Sequence, residues 1–132
     1  MKRIGFVLGS FHRVQVGEML EAARAQAGAR DAQILAEVFV PGSMEKPLAV
    51  KRLLLRDDID GVAVLGIIEK GETKHGLVMA QSVVRALIDL QLEFMKPVGV
   101  GILGPEIHPS QIPPRLKPYA AAAVDAVCEM LG

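Results

Sequence analysis

Gly61-Val62-Ala63-Val64-Leu65-Gly66-Ile67-Ile68 carries neither a charge nor a polar side chain, and Asp60 and Glu69 bound it. A strand with one wet face would alternate apolar and polar residues; a run that is apolar at every position is a strand buried on both faces. Such a strand needs a covering layer above and below, so the rest of the chain has to supply helices for two sides.

The remaining segments meet that demand in a repeating order. Lys2 to Leu8 reads as a first strand through Ile4, Phe6, Val7 and Leu8, and Ala32 to Val40 as a second, broken by Pro41-Gly42-Ser43. Gly61 to Ile68 is the third and Val98 to Leu103, introduced by Lys96-Pro97, the fourth. Between them lie helical patterns. Val16 to Ala27 places Met19, Leu20, Ala23 and Ala27 on one face, and Gly28 is the expected stop. Ser43 is the expected N-cap of a helix from Met44 to Arg56, with Leu48, Ala49, Arg52 and Leu53 at helical spacing. Asp57 to Asp60 is a polar link. A long helix from Thr73 to Glu93 should bury Leu77, Val78, Val84, Leu87 and Leu90. Gly104 to Pro114 reads as a loop, and Arg115 to Leu131 as an alanine-rich helix able to pack closely on a neighbour. Strand then helix, four times over, predicts an α/β fold: a three-layer α/β/α sandwich on a four-stranded parallel sheet. No repeat, low-complexity tract or linker divides residues 1–132, which read as one domain.

Charge narrows the function. Lys plus Arg and Asp plus Glu are 15 each, so the formal net charge is zero. A nucleic-acid groove needs a basic excess, and none is expected here. The single cysteine, Cys128, leaves no intrachain disulfide or cysteine metal cluster and fits a reducing, cytoplasmic setting. No apolar run reaches the length of a membrane span, and the first residues read as a strand rather than a signal peptide.

In a parallel sheet of this kind, ligands bind beyond the C-terminal strand ends. Those ends carry Ser10-Phe11, Gly42-Ser43-Met44-Glu45, Ile67 through His75, and Gly101 to Pro105. An aromatic ring, a carboxylate, a turn and a glycine-bordered wall thus converge, which points to a small-molecule site. The turn Gly71-Glu72-Thr73-Lys74-His75 is the centre of it. It opens a helix, where backbone N–H groups and the helix dipole receive anions, phosphate above all. Thr73 can cap that helix and add a hydroxyl, and His75 stands in the first turn, placed to move protons.

These motifs resemble the lumazine synthase family, its archaeal branch most closely. The resemblance runs from Ile4 to Val127. It rests on Gly9-Ser10-Phe11-His12, Val40-Pro41-Gly42-Ser43-Met44-Glu45-Lys46-Pro47, Leu65-Gly66-Ile67-Ile68, Gly71-Glu72-Thr73-Lys74-His75, Lys96-Pro97-Val98 and Arg115. It implies a flavodoxin-like architecture and an enzyme of riboflavin biosynthesis. That enzyme condenses 5-amino-6-(D-ribitylamino)uracil with 3,4-dihydroxy-2-butanone 4-phosphate and releases phosphate, without metal or organic cofactor. By the same resemblance Phe11 stacks on the pyrimidine. Ser43, Met44 and Glu45 hold the ribityl chain and ring edge, Ile67 and Ile68 line the ring pocket, and Val100 forms a thin wall over it. Gly71, Glu72 and Thr73 bind phosphate, His75 is the catalytic proton carrier, and Arg115, or Lys117 nearby, clamps phosphate from an adjacent subunit. The family implies a homo-oligomer: a pentamer, a decamer or an icosahedral capsid of pentamers. Departures from the family pattern are Gly76-Leu77 after the histidine, Val100 where bacterial members carry an aromatic, and no lysine matched near Tyr119. Archaeal riboflavin synthase, a sister family, and a non-catalytic flavin-binding shell protein are the alternative readings.

Overall fold

The computed structural model describes residues 1–132. Four parallel strands, β1 (Lys2–Gly9), β2 (Ala32–Val40), β3 (Gly61–Glu69) and β4 (Val98–Ile107), form one sheet in the order β2-β1-β3-β4. Four helices connect and follow them: α1 (Arg13–Ala29), α2 (Lys46–Leu54), α3 (His75–Phe94) and α4 (Leu116–Leu131).

The two-residue period of the strands divides the core in two. Ile4, Phe6 and Leu8 of β1, Ala63, Leu65 and Ile67 of β3, and Leu103 and Ile107 of β4 face α1 and α4. Val7, Val62, Val64, Ile68, Val98 and Ile102 face α2 and α3. All eight residues from Gly61 to Ile68 are buried, as a run with no polar position requires. The expected three-layer sandwich is the observed one. β2 is an edge strand and only half buried; on it Glu37 accepts two hydrogen bonds from Arg24 of α1, at 2.7 and 2.6 Å.

The alanines of α4 have a clear use. A Cβ on Gly99 would run into the carbonyl oxygen of Ala123, and one on Gly101 would lie 3.0 Å from the Ala123 Cβ and 3.0 Å from the Tyr119 carbonyl. The helix therefore rests on the backbone of β4. On the opposite side Lys96 donates to the carbonyls of Leu54 and Arg56, at 2.9 and 3.0 Å, and so closes the C-terminus of α2.

Several local expectations are corrected. Gly28 does not stop α1; the helix continues to Ala29, and the left-handed turn falls on Asp31 (φ 53°). The helix expected from Met44 to Arg56 is a 3₁₀ turn, Ser43–Glu45, followed by α2. Ser43 makes no side-chain cap. The inward stripe of α2 is Lys46, Ala49, Val50, Leu53 and Leu54, and Leu48 and Arg52 face outward. Val78 is exposed, because the buried face of α3 runs through Ala80, Val83, Leu87 and Leu90. The segment read as a loop from Gly104 begins as strand: β4 passes a register shift and pairs Ile107 with Glu69.

Candidate active site

In the order β2-β1-β3-β4, the chain leaving β1 crosses toward β2 and the chain leaving β3 crosses toward β4. Connections that part in this way leave a crevice beyond the strand ends. A cleft of about 390 Å³ occupies that crevice. Its lining comes from four places: the turn after β1, the turn from β2 into α2, the end of β3, and the start of α3.

Phe11 stands on the first of these. It is 71% exposed at the cleft mouth, an unusual position for a phenylalanine. The neighbouring turn comes close to it: a Cβ on Gly42 would lie 3.2 Å from Phe11 Cε2 and 3.5 Å from Glu45 Oε1. Ring and carboxylate therefore both come up to the place where a side chain on Gly42 would stand. Met44, also on that turn, is exposed at the lip, whereas Ser43 is buried beneath it. Ile67 and Ile68 end the apolar part of β3 and line the cleft together with Met79 of α3.

The turn into α3 has the properties of an anion receiver. The backbone N–H groups of Gly71, Glu72, Thr73 and Lys74 donate to no carbonyl of the chain. They precede a 20-residue helix whose dipole adds to their partial charge. Thr73 Oγ1 accepts the His75 N–H at 3.3 Å, a local contact just ahead of the helix; α3 starts at His75 rather than at Thr73, and its N-cap, Lys74, makes no side-chain cap. The His75 side chain is exposed on the cleft. Gly76 has a steric reason: a Cβ there would lie 3.3 Å from the Glu69 carbonyl oxygen and 3.4 Å from Ile68 Cγ2. The first turn of α3 can thus lie against the end of β3.

Phe11, Ser43, Met44, Glu45, Ile67, Ile68, Gly71, Thr73 and His75, all selected from sequence, line this one cleft. Glu72, Val100 and Arg115 do not. Glu72 is exposed on the turn itself. Val100 is 38% exposed on the edge strand β4. Arg115 precedes α4, where its guanidinium donates to the Gln111 carbonyl at 2.9 Å.

Three chemically capable residues escaped the sequence reading. His12 Nε2 lies 3.3 Å from Glu69 Oε2, so the turn after β1 is tied to the end of β3 across the cleft. The third is Lys46, which is 1% exposed at the cleft floor. Its Nζ donates to Ser43 Oγ at 3.2 Å. Burial pushes its pKa down from 10.5 to about 8, because the charged amine has lost water. Position gave the one available signal: Lys46 falls on the apolar stripe of α2 with Ala49, Val50 and Leu53. No three His, Cys, Asp or Glu side chains converge as a set of metal ligands.

The whole chain, residues 1–132, matches the model of the 6,7-dimethyl-8-ribityllumazine synthase family. The chain belongs to this family. Among the named lumazine synthases, that of Metallosphaera sedula is 44% identical over 128 residues, covering 97% of this chain and 85% of its own. The one from Staphylothermus marinus is 41% identical over 131 residues, 99% of this chain and 87% of its own. For Methanococcus maripaludis strain C7 the figures are 38% over 131 residues, 99% and 95%. Similarity at this level over nearly full length carries the lumazine synthase fold with it, in agreement with the layered parallel sheet.

Proposed function

We propose that this member of the family catalyses the reaction the family is named for. It joins 5-amino-6-(D-ribitylamino)uracil to 3,4-dihydroxy-2-butanone 4-phosphate, forms 6,7-dimethyl-8-ribityllumazine and releases phosphate, as a transferase of riboflavin biosynthesis. The observation that carries the reading is one cleft, in a chain of this family, bordered by an exposed aromatic, a carboxylate and an uncommitted helix N-terminus with a histidine.

Each part has a task. Phe11 offers its face to the flat heterocycle, an offset stack contributing on the order of 1 kcal/mol beyond its buried area. Glu45 and Ser43 meet hydroxyls of the ribityl chain and the polar ring edge, and Met44 adds backbone contacts. Ile67 and Ile68 take the ring's apolar edge. Gly71, Glu72 and Thr73 bind the phosphate through N–H groups and a hydroxyl. His75 carries protons during imine formation and phosphate elimination. Positioning supplies much of the acceleration, since joining an amine to a ketone is largely a problem of orientation.

The site is completed by a neighbouring copy. Arg115, with Lys117 near it, and Val100 are exposed and outside the cleft of their own chain. They are free to close the cleft of an adjacent subunit, the arginine as a fork for phosphate. Exposed apolar residues on α3 (Val78, Ile88, Leu92), at the cleft mouth (Phe11, Met44) and on α2 (Leu48) supply surface for that contact. The assembly is a pentamer, alone or as the unit of a decamer or capsid. The enzyme works in the cytoplasm, the reducing setting that its one unpaired cysteine fits. Mixing the two substrates with the protein should give lumazine fluorescence and stoichiometric inorganic phosphate. Absence of both from the assembled protein refutes the assignment.

A further inference from the structure

Lys46 is the buried group the proposed reaction leaves unused. It stands on the first turn of α2, with its side chain directed into the sheet rather than to water. Room for it is made by two glycines. A Cβ on Gly9 would lie 3.5 Å from the lysine Nζ, and one on Gly66 would collide with it. The amine therefore lies over the outgoing ends of β1 and β3, under the cleft between them.

An ammonium group carries three hydrogens. Ser43 Oγ takes one. No carboxylate comes within ion-pair distance: Glu45 on the same turn remains apart, and Glu69 is engaged with His12. His75 of α3 borders the same cleft, and Gly9 and Gly66 bring no charge. A buried amine with two uncommitted N–H bonds is costly, and an acceptor arriving from the cleft relieves that cost.

We infer that Lys46 is a ligand-binding residue, whose ammonium donates from the cleft floor to a carbonyl oxygen or deprotonated ring nitrogen on the polar edge of the bound heterocycle. This rests on the lumazine synthase reading for the identity of the ring. It adds a charge-assisted contact that selects rings with an electron-rich edge. Ser43 orients the amine from below, and Phe11 covers the ring from above. Contact with the ligand favours the charged lysine, so binding takes up protons where the free enzyme's lysine is partly neutral, above about pH 8.

The test titrates 6,7-dimethyl-8-ribityllumazine, followed by its fluorescence, into the assembled wild type and the Lys46→Met variant from pH 6.5 to 9.5. The wild type is expected to bind about tenfold more tightly at pH 7, a charge-assisted hydrogen bond being worth that much. Its advantage should shrink as the pH rises above 8, where the free lysine loses its charge. Calorimetry at pH 8.5 in two buffers of different ionisation enthalpy should show proton uptake by the wild type in excess of that by Lys46→Met. Equal affinities across the range overturn the inference. So does a loss that is the same at every pH, since the lysine would then act only through packing, and so does the absence of that excess proton uptake. A wild type that makes and binds lumazine while Lys46→Met behaves identically refutes this inference and leaves the reaction standing. A wild type that neither makes nor binds it refutes both.

Discussion

Replacing Lys46 by methionine isolates the energetic cost of holding an amine under the cleft. The lysine is 1% exposed and its pKa falls from 10.5 to about 8. At 1.36 kcal/mol for each pH unit of difference between folded and unfolded chains, the charged form costs about 3 kcal/mol. Methionine has nearly the same length and removes that cost. It also removes the hydrogen bond to Ser43, worth about 1 kcal/mol. The variant should therefore be more stable than the wild type at pH 7 by about 2 kcal/mol.

The sign of the pH dependence follows from which state holds the proton more tightly. The unfolded chain keeps it to about 10.5 and the folded chain only to about 8. Below 8 both states are charged, and the penalty is fully present and constant. Between 8 and 10.5 the unfolded state binds more protons, so wild-type stability gains with rising pH. Urea unfolding of both proteins at equal subunit concentration should find the variant's advantage narrowed by more than about 2 kcal/mol between pH 7 and pH 10. An advantage that stays constant over that range would mean that the amine keeps its water and that the cleft floor is not desolvated.

Other substitutions separate the parts of the site. His75→Ala should lower turnover by roughly 10²–10⁴-fold without abolishing it, because orientation remains; complete loss in an assembled variant would contradict this. Arg115→Ala should raise KM for the butanone phosphate by about tenfold or more and leave the KM for the pyrimidine unchanged, read from initial rates with each substrate varied in turn. Gly66→Ala should cost about 1–3 kcal/mol in wild type through collision with the Lys46 amine, and distinctly less in the Lys46→Met background. A double-mutant cycle of urea midpoints measures that difference.

The strands were legible because burial on two faces leaves no alternative to an unbroken apolar run, and Gly61 to Ile68 is such a run. The extension of β4 was hidden because Gly104-Pro105 reads as a breaker, and only pairing with Glu69 reveals the strand beyond it. α2 was assigned the wrong face for a related reason. Lys46 in the inward stripe looks like a surface residue, which moved the apparent stripe by one position to Leu48 and Arg52. On α3, Val78 suggested burial by hydropathy alone, yet it belongs to the outer face. Cleft residues on short turns, Phe11, Gly71, Thr73 and His75, were found because turn chemistry is local. His12 with Glu69 and Lys46 over Gly66 were not, because each depends on two segments distant in sequence meeting at the strand ends. Arg115 lies outside its own chain's cleft, at the head of α4.

Helix α4 touches bare main chain at Gly99 and Gly101. Its height above the sheet is therefore gauged by peptide groups rather than by rotatable side chains. Elsewhere in the core a methylene gained or lost can be absorbed by small rearrangements, but here there is almost nothing to rearrange. The residue at the head of that helix, Arg115, inherits this tolerance. The guanidinium it carries is thereby held at a reach that drift in the surrounding packing leaves unchanged.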